Sequence, residues 1–326
     1  RLFFQLPVEF YDAYCQDPLH VFGVVTGGGS VANLTALWCA HNRALLALGA
    51  SQFDISQSGA HAIAQSRGFK GAVILGTRLM HYSMRKSAAV MGLGEAGIMY
   101  VEQDASQKMS LTGLLRCIEL CKDNKLLVIA VVGIAGATET GTIDPLDKIA
   151  VIARQHQIHF HVDAAWGGAF QLSQHYRHLL SGIEQADSIT FCPHKQLYLS
   201  QGISLCLLRD TDSAASIATH ANYQAQKGSY DLGQYSIEGS RPAHALLLHA
   251  SLHLLGQNGY SWLIEQSMSK ARYLTTMLEK SNCFELIGYP DLNIITYRYV
   301  PVALRSKSSY SNDEHELMSE LVVKIQ

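Results

Sequence analysis

The chain has 326 residues, 48% of them apolar and 16% charged, with a formal net charge of −2. This balance describes a globular protein of one large or two ordinary domains. It excludes the basic footprint of a nucleic-acid binder, and no stretch reaches the roughly 18 apolar residues of a membrane helix.

Residues 1–20 read as a helix whose apolar face carries Phe3, Phe4, Phe10, Tyr11 and Tyr14, for internal packing or toward a partner subunit. The first residue is Arg and no charged-then-apolar leader follows, so no signal peptide is expected. Because residue 1 is not Met, the true start is expected upstream. The seven cysteines are scattered and odd in number, which suggests reduced thiols in a cytoplasm. Cys117 and Cys121 lie one helical turn apart, but no second pair completes a zinc pattern, and no metal is expected.

A short apolar strand, 21–25, runs into Thr26-Gly27-Gly28-Gly29-Ser30 and a helix from Val31. Strand, glycine turn and helix start aim free N–H groups and the helix dipole at an anion. An ordinary tight turn with a serine cap is an equal reading. The spacing fits neither a dinucleotide fingerprint nor a P-loop, so the ligand it suggests is a single phosphate. Residues 51–70 are polar without a clear period and read as a loop and short helix. Residues 71–75 form a buried strand, followed by His81 and a helix to Met91. An imidazole at a strand end can stack on a flat cofactor and move a proton, although a lone histidine there is more often structural.

Further strands are expected at 98–101 and 126–132, with helices at 111–120 and from Asp144-Pro145 to about Gln155. Thr138, in the glycine-rich loop after the strand at 126–132, is a candidate hydrogen-bond donor, with a plain turn as the alternative. On the next strand His159 and His161 fall on the same side as Asp163. Metal binding by these two is not favoured, since no carboxylate or thiolate ligand has suitable spacing. Asp163 ends that strand before Ala164-Ala165-Trp166-Gly167-Gly168, and a second strand, 188–192, runs into Pro193-His194-Lys195. An aspartate after one strand and a lysine after the next, 32 residues on, suit pyridoxal 5'-phosphate. That cofactor takes a lysine amine for a Schiff base and an anion beside its ring nitrogen. In a parallel sheet both residues reach the carboxyl edge, where ligands sit. Small residues beside Asp163 let a flat ring approach the backbone.

Alternating strands and helices to this point define an α/β protein with a mostly parallel sheet. Residues 203–208 add a strand. Residues 210–240 are polar and rich in Gly, Ser, Tyr and Gln, and so long a stretch reads as a functional, mobile loop. Tyr230 lies in it between glycines, as a candidate proton donor or an ordinary exposed tyrosine. A helix from Pro242 to Leu255 ends at Gly256, and another covers 261–279. His249 and His253 sit one turn apart on the first of these, and packing is favoured over metal binding. Strands at 284–287 and 293–299 and a last helix at about 313–325 complete the chain.

Gly28-Gly29-Ser30, His81, Thr138, Asp163-Ala164-Ala165 and His194-Lys195 together resemble the group II pyridoxal-phosphate decarboxylases over about residues 24–305. That group includes glutamate, aspartate, 2,4-diaminobutyrate and aromatic amino acid decarboxylases. Stretches 81–94 and 235–242 look most like the bacterial pyridoxal-dependent aspartate 1-decarboxylases.

The resemblance implies the fold type I architecture of PLP-dependent transferases and a homodimer with sites at the subunit interface. It implies a truncated amino-terminal segment at 1–20, a large cofactor domain at 21–256 and part of a small α+β domain at 257–326. It also implies that Lys195 carries the cofactor, Asp163 pairs with the ring nitrogen, His81 stacks on the ring and Ala165 packs on its other face. Gly28, Gly29, Ser30 and His194 would hold the phosphate, Thr138 would lie near the ring hydroxyl, and Tyr230 would attend protonation at Cα. Cys192 departs from the asparagine common before Pro-His-Lys, which puts a phosphate contact in doubt. Relatives extend further at both ends, and an arginine that binds substrate carboxylate in glutamate decarboxylases lies in a tail that has no counterpart here.

The expected activity is α-decarboxylation of an acidic amino acid, aspartate to β-alanine or glutamate to γ-aminobutyrate, with release of carbon dioxide. A 2,4-diaminobutyrate or aromatic amino acid decarboxylase, an aminotransferase or desulfurase on the same fold, and a non-catalytic relative are the alternatives.

Overall fold

The computed structural model describes the chain except residues 16, 224–227, 306, 308 and 326. The elements in order are α1 (Val8–Tyr14), β1 (Gly23–Thr26), α2 (Gly29–Ala47), α3 (Gln52–Ser58), α4 (Ala60–Ser66), β2 (Gly71–Gly76), α5 (Ser83–Val90) and β3 (Ile98–Tyr100). There follow α6 (Leu111–Asp123), β4 (Leu126–Ile134), α7 (Leu146–Gln155), β5 (His159–Asp163), β6 (Ser188–Phe191) and β7 (Ser204–Leu208). The last are α8 (His244–Lys280), β8 (Phe284–Leu286), β9 (Tyr297–Tyr299) and α9 (Asn312–Ile325).

Seven strands form one sheet in the order β1-β7-β6-β5-β4-β2-β3. The pairs from β3 across to β6 are parallel, and β7 runs antiparallel to both β6 and β1. Only β7 therefore opposes the rest of this sheet. The continuous apolar runs, such as Ala-Val-Ile-Leu in β2, arise because both faces are covered.

On one face Val73, Leu75, Phe160 and Val162 pack with Leu114 of α6, Ile149 of α7 and Tyr260 of α8. On the other, Ile74, Val132 and Ile134 pack with Leu37 of α2, Ala64 of α4 and Met84 of α5. The period of two along β5 puts His159, His161 and Asp163 opposite Phe160 and Val162, on the face covered by α2.

Three local expectations change. Helix α1 is shorter than the opening stretch suggested, because Pro7 starts it and residues 1–6 form a turn. The aromatics there pack within the chain, Phe3 on Phe191 at 5.3 Å and Phe10 on Phe22 at 5.5 Å between ring centroids. Residues 51–70 hold two helices rather than a loop and one helix. A reciprocal Ser51–Asp54 capping box starts α3, and Gly59 at φ 78° separates it from α4. The late strand is confined to β9, paired with β8, because the segment before it turns back to the large sheet. There Asp291 accepts from the Ile143 N–H at 2.7 Å and Asn293 from the Trp166 indole at 2.8 Å. As the sequence suggested, a helix ends at Gly256, where φ 61° and ψ −176° are non-helical, so α8 is two helices joined across a kink.

His41 on α2 is 3% exposed and its Nε2 has no hydrogen-bond partner among the described residues. Burial, aided by His61, holds its pKa down at about 4. The unfolded chain protonates His41 first as pH falls, so this stability is whole above about pH 6.5 and is lost toward pH 4. The loss by pH 5 should be on the order of 2 kcal/mol. His41→Leu should therefore show a smaller fall in Tm between pH 7 and pH 5 than the wild type in thermal melts. Equal falls would contradict this account.

Candidate active site

Because β1 to β6 point the same way, the loops after β1, β2, β4, β5 and β6 open on one edge of the sheet. A cleft of about 510 Å³ lies there. Gly28, Gly29 and Ser30 line it after β1, His81 after β2 and Thr138 after β4. Asp163 and Ala165 line it at the end of β5, and His194 and Lys195 after β6. Of the site residues expected from the sequence only Tyr230 is not in the lining. It is 72% exposed, in a loop whose residues 224–227 lie outside the described part.

The glycine turn is the start of α2 itself, two residues earlier than the sequence suggested, with Gly28 as N-cap. The first N–H groups of this 19-residue helix have no acceptor within it. Thr26 fixes the turn by donating from Oγ1 to the Gly28 carbonyl at 3.1 Å. Gly29 has to be glycine for a local reason, since a Cβ there would meet Cys192 Sγ at 2.9 Å. Cys192 thus packs beneath the turn, 1% exposed, and accepts a hydrogen bond from Ser204 Oγ at 3.0 Å. Burial raises its thiol pKa to about 11, so at neutral pH it is uncharged. Its place beneath the glycine turn is that of a packed neutral group.

Asp163 is 8% exposed. One carboxylate oxygen accepts from the Ala165 N–H at 3.1 Å and the other from Asn33 Nδ2 at 3.0 Å. Lys195 is half-buried in a turn closed by its own N–H on the Cys192 carbonyl at 3.1 Å and by Leu197 N–H on Pro193. His194 Nδ1 donates to the Ile203 carbonyl at 2.6 Å, so the neutral ring offers only an acceptor at Nε2. Holding an anion through that atom requires the doubly protonated ring.

His81 Nδ1 lies 2.8 Å from Ser83 Oγ. Burial lowers its pKa, and of its charged neighbours Asp163 and Glu139 oppose this while Lys195 and Lys86 reinforce it. Thr138 is exposed in a loop that is closed by Gly136 and Ala137 N–H groups on the Thr142 carbonyl at 3.1 and 2.9 Å.

Several residues of this edge escaped the sequence reading. Asn33 and Ser83 look like incidental polar positions in helices, yet both are buried against the site. His159 and His161 both bond to Ser188 Oγ at 2.8 Å, which gives the two imidazoles a use that needs no metal. From the polar loop, Glu238 accepts from the Gly27 N–H at 2.9 and 3.1 Å, and Arg241 donates to the Val25 carbonyl at 2.5 Å. A glutamate before Gly-Ser-Arg-Pro was a visible signal for such an anchor, but its target 211 residues away was not.

An ionisable lysine, an anion, a flat imidazole, a small Ala165 and a helix N-terminus sharing one cleft form the donor set a pyridoxal-phosphate enzyme requires. The Pyridoxal-dependent decarboxylase conserved domain matches residues 3–300, and the chain belongs to that family. Its architecture is fold type I, and the family's cofactor is pyridoxal 5'-phosphate. The chain is 40% identical to aspartate 1-decarboxylase of Aliivibrio fischeri, over 97% of its own length and 58% of the relative's. It is 32% identical to cysteine sulfinic acid decarboxylase of Rattus norvegicus, over 92% of its own length and 59% of the relative's. The crystal structure of mouse CSAD superposes with a TM-score of 0.81 at 31% identity, covering 92% of this chain and 60% of that one. The chain thus spans just under three-fifths of the length of these curated relatives. Among the described residues no helix is long and apolar enough to cross a membrane.

The packing of Cys192 has a chemical consequence. An alkylating reagent at neutral pH should modify the exposed Cys15 readily and Cys192 only after unfolding, as read by peptide mapping. Labelling of Cys192 in the folded protein at the rate of Cys15 would contradict its placement.

Proposed function

We propose that the chain catalyses pyridoxal-phosphate-dependent α-decarboxylation of an acidic amino acid, aspartate to β-alanine first and glutamate to γ-aminobutyrate second. The observation that carries this reading is the meeting of Lys195, Asp163 and the α2 N-terminus in one cleft. The order of substrates follows the 40% identity to a protein named for aspartate.

In this reading Lys195 would hold the cofactor covalently through Nζ. Asp163 holds the proton on the ring nitrogen, as an anion in close contact favours a protonated partner. When bound, pyridoxal phosphate supplies an electron sink for the pair left at Cα as carbon dioxide departs. His81 and Ala165 pack against the ring and orient it. Gly28, Gly29 and Ser30 hold the phosphate by α2 N–H groups and a hydroxyl, with the doubly protonated ring of His194 beside them. Thr138 serves the ring hydroxyl. Tyr230 delivers a proton to Cα.

A homodimer is part of the proposal. Its support is the run of leucines at the start of α8, where Leu246 is 65% and Leu254 84% exposed. Seven cysteines without a disulfide support a reducing compartment such as the cytoplasm. The interruption at Gly256 supports a large domain ending there and the start of a small one.

Carbon dioxide release from a panel of amino acids, measured on the full-length protein, should be fastest with aspartate. Release from none of the acidic amino acids would end the proposal. Borohydride should fix the cofactor to Lys195, and Lys195→Ala should abolish that link in a peptide map; label on another lysine would reassign the role. Asp163→Asn should bind cofactor more weakly and lose turnover by orders of magnitude, and near-normal turnover would refute its part. Tyr230→Phe should still consume substrate but divert product from amine to aldehyde and amine-form cofactor in single-turnover analysis. Amine formed at the wild-type rate without by-product would return Tyr230 to an ordinary loop residue.

A further inference from the structure

The buried polar groups behind the cleft form one connected system centred on Asn33. This residue lies in the first turns of α2 and is 1% exposed. Its Nδ2 is 3.0 Å from Asp163 Oδ2 and 2.9 Å from Ser83 Oγ, and its Oδ1 is 3.1 Å from His161 Nε2. An ionised carboxylate can only accept, so the Asn33 atom facing Asp163 must be the amide nitrogen. With neutral imidazoles that requirement orients the arm through His161 and Ser188, and the Ser83 N–H orients the arm to His81.

The Asn33 carbonyl is left facing His161, whose Nε2 must donate to it. In the neutral ring Nδ1 then accepts from the Ser188 hydroxyl at 2.8 Å. Ser188, with its hydrogen committed, accepts from His159 Nε2 at 2.8 Å. On the other arm Ser83 Oγ accepts from Asn33 and sends its own hydrogen to His81 Nδ1 at 2.8 Å. The Ser83 N–H also points at that nitrogen, at 3.3 Å, which it can do only if Nδ1 is an acceptor.

We propose that Asn33 is a positioning residue whose amide joins Asp163 and His81 in one directed hydrogen-bond chain, holding Asp163 as an anion and His81 as the neutral Nε2–H tautomer. The purpose of this arrangement rests on the cofactor reading above: an anion stands at the ring nitrogen, and an uncharged imidazole lies against the ring. The chain itself is a property of the protein alone.

The groups around each imidazole agree with this assignment. His81 faces Asp163 from β5, Lys195 from the turn after β6, Glu139 from the loop after β4 and Lys86 from α5, with the Tyr82 ring 4.2 Å away. Those charges oppose one another in sign, and burial favours the neutral ring. His161 faces Asp163 and His159, and burial, reinforced by His159, outweighs Asp163 and keeps it neutral. His159 in turn faces Asp187 and Arg43, and burial lowers its pKa as well.

The test is NMR of the folded protein, without cofactor, carrying ¹⁵N-imidazole labels, with His81 and His161 assigned from His81→Gln and His161→Gln spectra. Both rings should appear as neutral Nε2–H tautomers at pH 7.5. Asn33→Leu removes the amide at similar volume. It should turn the His81 signal into a mixture of tautomers and weaken pyridoxal phosphate binding about tenfold or more in an absorbance titration. Ser83→Ala cuts only the arm to His81 and provides the same tautomer readout should Asn33→Leu fail to fold. A wild-type His81 protonated on Nδ1, or a His81 tautomer that neither variant changes, would overturn the proposal. These results separate from the decarboxylase reading. A protein that binds cofactor through Lys195 with His81 as the Nδ1–H tautomer loses only this inference. A protein with the stated tautomers that forms no bond at Lys195 loses only the function.

Discussion

A carboxylate buried at the end of a central strand must be met by donors, and the way Asp163 is met organises the carboxyl edge of the sheet. Left without partners, such a charge would cost several kcal/mol or give up its ionisation. Here a backbone N–H two residues on and a side-chain amide from α2 each take one oxygen. The amide can reach only because α2 lies flat on the sheet, buried on most of its surface, with Leu37, Ala40 and Leu45 among its fully buried residues. The same burial places the N-terminus of α2 at the cleft. One packing decision, α2 against β4 to β7, therefore fixes both the orientation of the anion and the location of the N–H groups.

The charges in the cleft balance through this geometry. The helix N-terminus and Lys195 are positive, while Asp163 is negative and supported from behind by neutral donors. Glu238 adds a carboxylate at the outermost turn N–H, where it ties the end of the polar loop to β1 without entering the row of α2 donors. Cys192, buried and uncharged, fills the volume under Gly29. The loop after β4 is held from the far end of the chain by Asp291 and Thr296, which bond to the Ile143 N–H and the Glu139 carbonyl. Residues that belong to no strand of the main sheet thus help shape its active edge.

Much of this was legible in the amino-acid sequence, for identifiable reasons. The buried parallel strands appear as apolar runs, so a polar residue just past such a run, like His81, Asp163 or Lys195, is placed at the sheet edge by chain direction alone. The alternation of His159, His161 and Asp163 along β5 fixed their common face. The partners of those residues were not legible. Asn33 meets Asp163 across 130 positions and Glu238 meets Gly27 across 211, and neither polar side chain differs locally from one facing water. The α3–α4 pair was hidden because both helices are short and mostly exposed, with a single buried residue each and no apolar period to read. Tyr230 stands out in the sequence for its setting between glycines, yet it is exposed away from the cleft lining, because loop composition does not determine where a loop residue rests.

The central claim is that Asp163, anchored by α2, keeps the cofactor ring nitrogen protonated. The most direct measurement is ¹⁵N NMR of the full-length protein carrying pyridoxal phosphate labelled at the ring nitrogen. The account predicts a protonated nitrogen across the neutral pH range, with that signature lost in Asp163→Asn. An unprotonated nitrogen in the wild-type protein, or a protonated one unaffected by the substitution, would contradict it.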